Sequence, residues 1–341
     1  MRFFIYALIG MHFLFFAFHA RLIVVSGPRH LEKKPSLERV PLQVPMAKPL
    51  HPHYAVSVMA CGRLASLNLS LFYLHAASAH FAEATGQLIP VYASLDCPPS
   101  HQQEKDDAMM SLLRAWNSTA SLCLFAEWFE QAHDPKNPEF ADERVARHWI
   151  STLAQLFRRR GYAYVTHLED DHVVAPTFFS DLVGLTTSWP NAACFNLGCG
   201  GDCWGSATVN PSDVTWMEAG NMGVTYSRAF WDLLWEHSRR FCSMRGNWDI
   251  NVHVLQSENK LPLPCATYAM TRVTHMLNAG SARMSSFTSF ASVQAVVLPA
   301  WPPHPPPHLV DVGKARYALE SHEQGPPLPE TLQQQCLSLL W

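Results

Sequence analysis

Three consecutive carboxylates, Glu169-Asp170-Asp171, close the run Tyr162-Ala163-Tyr164-Val165-Thr166-His167-Leu168. An apolar, β-branched and aromatic run of this kind reads as a buried parallel strand, and ligands in open α/β sheets sit beyond the carboxyl ends of such strands. Adjacent acids repel one another, so a cation should compensate them. A hard divalent ion held by carboxylate oxygens does this and leaves coordination positions open for a substrate's phosphates. An isolated acidic triplet is more commonly a solvated turn. Here a helix start follows at once in Ala175-Pro176-Thr177-Phe178-Phe179, with Pro suited to a first helical turn. Strand, acids and helix in that order are what a nucleotide-diphosphate site requires.

The elements that must position these acids alternate. Ala55-Val56-Ser57-Val58-Met59-Ala60 reads as a first buried strand, turned by Cys61-Gly62-Arg63 into a helix around Leu67 to Ala82. Leu88 to Leu95 reads as a second strand ending at Asp96-Cys97-Pro98-Pro99, followed by a polar helix from His101 to Arg114. Ser121 to Phe125 is a short third strand. Ala141 to Arg160 is helical, with Val145, Trp149, Leu153 and Phe157 at four-residue steps on one face. Its Arg158-Arg159-Arg160 complements the helix C-terminus. Strands alternating with helices predict a largely parallel sheet covered on both faces. Beyond Pro176 the pattern shifts to shorter strands at Ala193–Leu197, Val214–Trp216 and Met222–Tyr226, a helix over Arg228–Arg240, another opening at Asn247, and an apolar stretch at Thr267–Met270 that leads to Arg272-Val273-Thr274-His275.

With 341 residues, 48% of them hydrophobic, the chain can bury one large core or two modest ones. A formal net charge of −3 gives no case for nucleic acid as a partner. Phe3 to Val25 is almost wholly apolar and long enough to span a bilayer. Ala17-Phe18-His19-Ala20 makes a poor cleavage site, so residues 1–25 read as an uncleaved anchor with its short tip. Positive charge after the span (Arg21, Arg29, Lys33, Lys34) would keep the body cytosolic. All nine cysteines follow the span, which suits an oxidising compartment and argues the opposite way. Asn68-Leu69-Ser70 and Asn117-Ser118-Thr119 are glycan acceptor triplets of a kind common by chance. Residues 26–53, with Pro28, Pro35, Pro41, Pro45, Pro49 and Pro52, form a linker, 54–285 a single body, and 286–341 a proline-rich extension.

These residues, taken together, resemble the Golgi N-acetylglucosaminyltransferases that build complex N-glycans, over residues 54 to 285. The first half is similar to N-acetylglucosaminyltransferase I in Val56 to Arg63, Ser94-Leu95-Asp96-Cys97, Ala146-Arg147-His148-Trp149, and Glu169-Asp170-Asp171 followed by Val174-Ala175-Pro176. The second half is more similar to N-acetylglucosaminyltransferase II, in Val214-Thr215-Trp216, Asn221-Met222-Gly223, Phe241-Cys242, Asn247-Trp248-Asp249 and Arg272-Val273-Thr274-His275. Leu168 to His172 fits that enzyme too, with Asp170 in place of a usual Glu.

The resemblance implies an α/β fold of the GT-A nucleotide-diphosphosugar transferase type behind an N-terminal membrane anchor. It implies UDP-GlcNAc as donor, an N-glycan acceptor on glycoproteins, Mn²⁺ as cofactor, and a single-pass Golgi membrane protein with a luminal body. It carries Asp171 and His275 to the metal, Asp170 to the nucleotide ribose, Asp96 to the uracil, Arg63 and His148 to the nucleotide pocket, and Asp249 to the role of catalytic base. It also implies a Cys242–Cys336 disulfide. Two departures bear on the acceptor. Cys61-Gly62-Arg63 stands for Asn-Arg-Pro, and Asn196 to Gly201 replaces an acidic Trp-Asn-Asp segment of the first enzyme.

Each role has a plainer rival. Asp171 could cap the following helix, and Asp249 could complement a helix dipole. A lone His such as His275 is usually structural. Arg63 and His148 could be ordinary surface residues, Glu169 could merely shape its loop, and Trp216 and Asn221 line the acceptor side only if they are not core. Cys199 and Cys203 with Cys194 make a poor zinc set, so a local disulfide or a free thiol is the better expectation, and an odd number of cysteines leaves at least one unpaired within the chain. The function expected is inverting transfer of GlcNAc from UDP-GlcNAc to the 2-hydroxyl of the α1,6-arm mannose. The alternatives are the α1,3-arm enzyme and a catalytically silent sugar-binding protein on the same scaffold. A zinc hydrolase lacks its motif.

Overall fold

The computed structural model describes residues 50–60, 63–95, 102–117, 124–128, 141–198, 213–217, 222–262, 265–268, 271–275, 308–309, 327–338 and 340. The expected anchor, most of the linker, Asp96, Asn221, and Cys199 and Cys203 lie outside them. Among the described residues no helix is long and apolar enough to cross a membrane.

Strand β1 (Tyr54–Ala60) is buried along its whole length. A strand covered on both faces has no position for a polar residue to reach water, which is why its sequence is apolar but for Ser57, whose buried hydroxyl donates to Thr166 O. It lies between β2 (Val91–Leu95) and β4 (Tyr164–Glu169), parallel to both, and β3 (Leu124–Trp128) extends the parallel set beyond β2. The connections are helices: α1 (Leu64–Thr85), α2 (Gln102–Asn117) and α3 (Ala141–Ala154), the last continuing as a π-helical turn over Gln155–Arg159. Helix α1 stops at Gly86, whose φ of 72° is the left-handed cap a glycine supplies without strain.

Strand β8 (Val224–Ser227) runs antiparallel to β4 and ends the parallel half. Beyond it come β6 (Cys194–Asn196), β9 (Cys265–Tyr268), β7 (Asp213–Met217) and the two-residue β11 (His308–Leu309), giving the order β11-β7-β9-β6-β8-β4-β1-β2-β3. A separate two-stranded ribbon pairs β5 (His172–Val174) with β10 (Val273–His275), antiparallel. The remaining helices are α4 (Phe178–Ser188), α5 (Arg228–Glu236), α6 (Ser238–Ser243), α7 (Trp248–Ser257) and α8 (Glu330–Ser338).

Alternation along β1 divides the core in two. Val56, Val58 and Ala60 join α1, α2 and α4 on one face, while Ala55 and Met59 join α3, α5, α6 and α7 on the other. This is the layered α/β architecture read from the sequence. Trp149, Leu153 and Phe157 of the four-residue series are wholly buried in the second core and Val145 partly so.

Several boundaries move. Pairing begins before Tyr54: Leu50 bridges to Leu88, and His53 accepts from Ala163 and Tyr164, so residues 50–53 belong to the body and not to the linker. The expected helix over 228–240 is two, interrupted at His237. Part of the expected extension returns to the body, where α8 packs on α6, Leu328 N–H donates to Ser243 O at 3.0 Å, and Cys336 and Leu340 enter the second core. Arg158 does more than complement a helix end. Its guanidinium donates to Leu340 O at 2.9 Å and lies over the Trp235 ring.

Among the described residues two disulfides staple the second half of the body. Cys242–Cys336 joins α6 to α8 with Cα atoms 5.7 Å apart. Cys194 pairs with Cys265, joining the neighbouring strands β6 and β9, so its partner is not the nearby Cys199 or Cys203. Parallel pairing sets Phe195 opposite Ala266, which brings the preceding cysteines side by side across a register the local sequence does not reveal.

Candidate active site

The acids sit where β4 ends. Met59 of β1 stands opposite Glu169 on β4, so the strand's last residues emerge at the same edge as the start of α1. Arg63, just before α1, donates to Asp171 Oδ2 at 2.8 Å and pairs with Asp170. Half-buried Arg63 is thus clamped by two carboxylates instead of lying free on the surface. Burial alone would weaken its proton, yet Asp170 and then Asp171 overcome that and raise its pKa.

The chain then turns straight into β5, and β10 pairs with it so that His275 stands opposite His172. Their rings lie edge to face, 4.5 Å between centroids, and His275 Nδ1 is 3.5 Å from Asp171 Oδ1. Ligand atoms of Asp171, His172 and His275 fall within 4.8 Å of one another. Asp171 Oδ1, His275 Nδ1 and His172 Nε2 are each buried without a hydrogen-bond partner. Buried polar atoms are normally satisfied, and three orphans in one place mark a site that a ligand completes. Burial would raise Asp171, but His275, His172 and Arg63 overcome it and hold its carboxyl far below the usual range. It is therefore a carboxylate with a lone pair to give.

His172 plays a different part. Its Nδ1 accepts the Glu169 N–H at 3.1 Å, and full burial drives its pKa far down, with His275 adding to the effect. A neutral ring whose Nδ1 accepts carries its proton on Nε2. Asp171 and His275 are thus the pair able to ligate an ion, and His172 is an N–H donor beside them. Sequence reasoning gave His172 no role. Its position directly after the acids was the available signal, but its partner strand lies a hundred residues on and is not legible locally.

The ribbon's position is fixed from beneath. Arg272 Nε donates to Asp181 Oδ2 at 2.6 Å, both side chains being 4% exposed. Thr177 Oγ1 donates to the same oxygen at 2.6 Å, and the Tyr268 hydroxyl donates to Asp181 O. Arg272 N–H bonds Leu197 O, and its carbonyl accepts from Ala175 N–H. Gly223 completes the fit. Its φ is 59°, and a Cβ there would meet Val273 Cγ2 at 2.6 Å. The Gly of Asn221-Met222-Gly223 is required because β10 crosses it.

Glu169 is not a bystander of its loop. Trp248 Nε1 donates to its Oε1 at 3.1 Å. Burial, then the charge on Asp171, pushes its carboxyl up to about 7 against that hydrogen bond. Trp248 stacks on Trp149 within the second core and begins α7, capped by Asn247. Asp249, the next residue, is partly exposed, and its Oδ1 accepts the Ile250 N–H at 2.8 Å. Its charge is felt at Glu169 and at the buried Tyr226 hydroxyl. A carboxylate at a helix start within electrostatic reach of the acid cluster can act as a base toward a hydroxyl lying between them.

His148 is buried, not on the surface, and its Nε2 shares a 2.7 Å hydrogen bond with Ser94 Oγ under the end of β2. Asp170 is wholly buried against Arg63. The structure therefore brings Arg63, Asp170, Asp171 and His275 together, places Asp249 close by, and sets His148 beneath the second strand.

The sequence model of a family described as N-acetylglucosaminyltransferase II (MGAT2) matches residues 102–297, more than half of the chain. No curated protein matches. Two solved structures of TarS from S. aureus match at 11% identity and a TM-score of 0.39. They align with 65% and 66% of this chain, which spans only 59% and 37% of their own lengths. The chain belongs to the N-acetylglucosaminyltransferase II family of glycosyltransferases.

Proposed function

We propose that this chain is an inverting β-1,2-N-acetylglucosaminyltransferase of GT-A type, moving GlcNAc from UDP-GlcNAc to the 2-hydroxyl of the α1,6-arm mannose of N-glycans. One observation carries the reading: Asp171 and His275, 104 positions apart, present unpartnered lone pairs 3.5 Å from each other at the end of the fourth strand. A carboxylate oxygen and an imidazole nitrogen suit Mn²⁺. Bound there, the ion supplies positive charge beside a departing diphosphate.

The chain's own groups do the rest. Arg63 adds a fixed cation at the same edge, oriented by Asp170. His172 Nε2–H offers a neutral donor that needs no charge to be moved. Asp249 accepts the proton of the mannose hydroxyl as it attacks the anomeric carbon from the face opposite UDP, which inverts the configuration. Asp96, Asp170 and His148 are nucleotide contacts by family likeness. Asp170 and His148 reach a nucleotide through, or by release from, Arg63 and Ser94.

The stapled acceptor-side half supports an oxidising lumen, and we place the body in the Golgi lumen behind a membrane anchor within residues 1–25. The test is UDP-GlcNAc and Mn²⁺ offered with defined mannose-terminated glycans, the product linkage being read out. Transfer to the α1,6 arm is expected. Transfer only to the α1,3 arm overturns the acceptor, and nucleotide binding without transfer to any glycan overturns the enzyme.

A further inference from the structure

We infer that Asn68 carries an N-linked glycan whose first sugar covers the apolar patch of Leu69, Phe72 and Trp116, an inference that rests on the luminal placement proposed above. Helix α1 buries Leu67, Ser70, Leu71 and Leu74 on its inner face and turns Asn68 outward. Among the described residues the exposed large hydrophobics are Leu69 at 41%, Phe72 at 46% and Leu233 at 37%. Two of the three flank Asn68, one adjacent and one a helical turn on.

Trp116 of α2 completes the patch, its ring 6.5 Å from that of Phe72 in an edge contact. Its indole N–H donates to Asn68 Oδ1 at 2.8 Å, which fixes the amide at the edge of the Trp116 ring. The oxygen is engaged, and among the described residues nothing bonds the amide nitrogen, the atom a glycan uses. Single exposed apolar residues need no explanation. An aromatic pair, one ring of which donates a hydrogen bond to the asparagine of an Asn-x-Ser triplet, does. The C–H face of a pyranose lies flat on an aromatic ring, and the rest of a glycan is solubilising. The other triplet, at Asn117, runs outside the described residues and takes no part.

The sugar comes from a lipid-diphosphate-linked oligosaccharide of the secretory pathway. The bond from its anomeric carbon to the diphosphate oxygen breaks, and a bond to Asn68 Nδ2 forms. The amide nitrogen releases one proton to solvent, and the lipid diphosphate leaves. Oδ1 keeps its lone pairs, so the Trp116 hydrogen bond survives the modification.

The experiment expresses the full chain in a secretory eukaryotic cell and maps peptides before and after amide-cleaving glycosidase. Asn68 is expected to be occupied, and Asn68→Gln to lose one step of mobility. The Cys242–Cys336 bridge, mapped without reductant in the same sample, reports the compartment. An intact bridge with bare Asn68 overturns the glycan and leaves the luminal reading standing. Free thiols with bare Asn68 overturn both. The covering role is read by an apolar fluorescent dye. Deglycosylated protein should bind more dye than the glycosylated form, and Phe72→Ser should abolish the increase. Equal dye binding by the two forms overturns the cover.

Discussion

Arg272→Met is the most informative single change, because it separates how the site is held from what the site does. Arg272 and Asp181 are both almost fully enclosed, 2.6 Å apart, and the substitution leaves a buried carboxylate with Thr177 as its remaining side-chain donor among the contacts described above. Breaking one side of a buried pair costs about 3–5 kcal/mol. For a body of this size each kcal/mol lowers Tm by about 2–4 °C, so a fall of roughly 6–20 °C is expected. Removing both charges in Arg272→Met with Asp181→Leu should recover most of it, because an apolar pair of similar volume is often neutral in such sites. About 1 kcal/mol remains lost with the Thr177 hydrogen bond. Thermal unfolding of the four proteins measures this directly, and Mn²⁺ titration by electron paramagnetic resonance on the folded forms follows the ribbon that carries His275. A single variant melting within a degree or two of the parent refutes the reasoning. So does a double variant that melts lower than either single one.

Asp171→Asn should keep the fold and lose at least a hundredfold of transfer, about 2.7 kcal/mol or more of transition-state stabilisation, and full activity in chelator would remove the ion from the account. Asp249→Asn cannot accept a proton at neutral pH, so turnover should collapse while UDP binding measured by calorimetry persists; parallel loss of both makes Asp249 structural. Burial pushes the Glu169 carboxyl up to about 7 when folded against 4.5 ordinarily, so the folded state binds its proton more tightly than the unfolded state does. That contribution is present below 4.5 and drains away as pH rises through 7. Glu169→Gln, compared in chelator, should therefore gain stability over the parent from pH 5 to 8 and match it at pH 4; a pH-independent difference contradicts this. Cys336→Ser opens a loop spanning 94 positions and should lower unfolding stability by up to about 4.7 kcal/mol, measured by urea titration, with no effect meaning that α8 holds by packing alone.

The strands that form the parallel half were legible because burial on both faces favours apolar and β-branched residues, as in Val56 to Ala60 and Val165 to Leu168, with the buried Ser57, Thr166 and His167 as the polar exceptions. Strand β3 was read three residues early, since Glu127 breaks the apolar run that edge strands do not need to keep. Strand β5 was missed because three residues next to an acidic turn give no period, and its partner arrives a hundred positions later. The break at His237 carries no Gly or Pro to announce it. Asp171 could be argued from the residues alone, whereas His275 could be named only through likeness to a family. Asp181 was not singled out, since a lone Asp in a first helical turn looks like a dipole partner until β10 is seen to cross it. Cys265 as the partner of Cys194 required the β6–β9 register.

The two disulfides among the described residues interleave along the chain: Cys194 and Cys265 close one loop, and Cys242 and Cys336 close another that begins inside the first. A single cut anywhere between residues 194 and 336 therefore falls within at least one covalent loop. Cleavage between 194 and 242 is held by the first bridge, cleavage between 265 and 336 by the second, and cleavage in the shared stretch by both. The strand bearing His275 lies in the second of these stretches. A protease that nicks this half once leaves Asp171 and His275 tethered within one molecule, and the damage becomes visible as two fragments only after reduction.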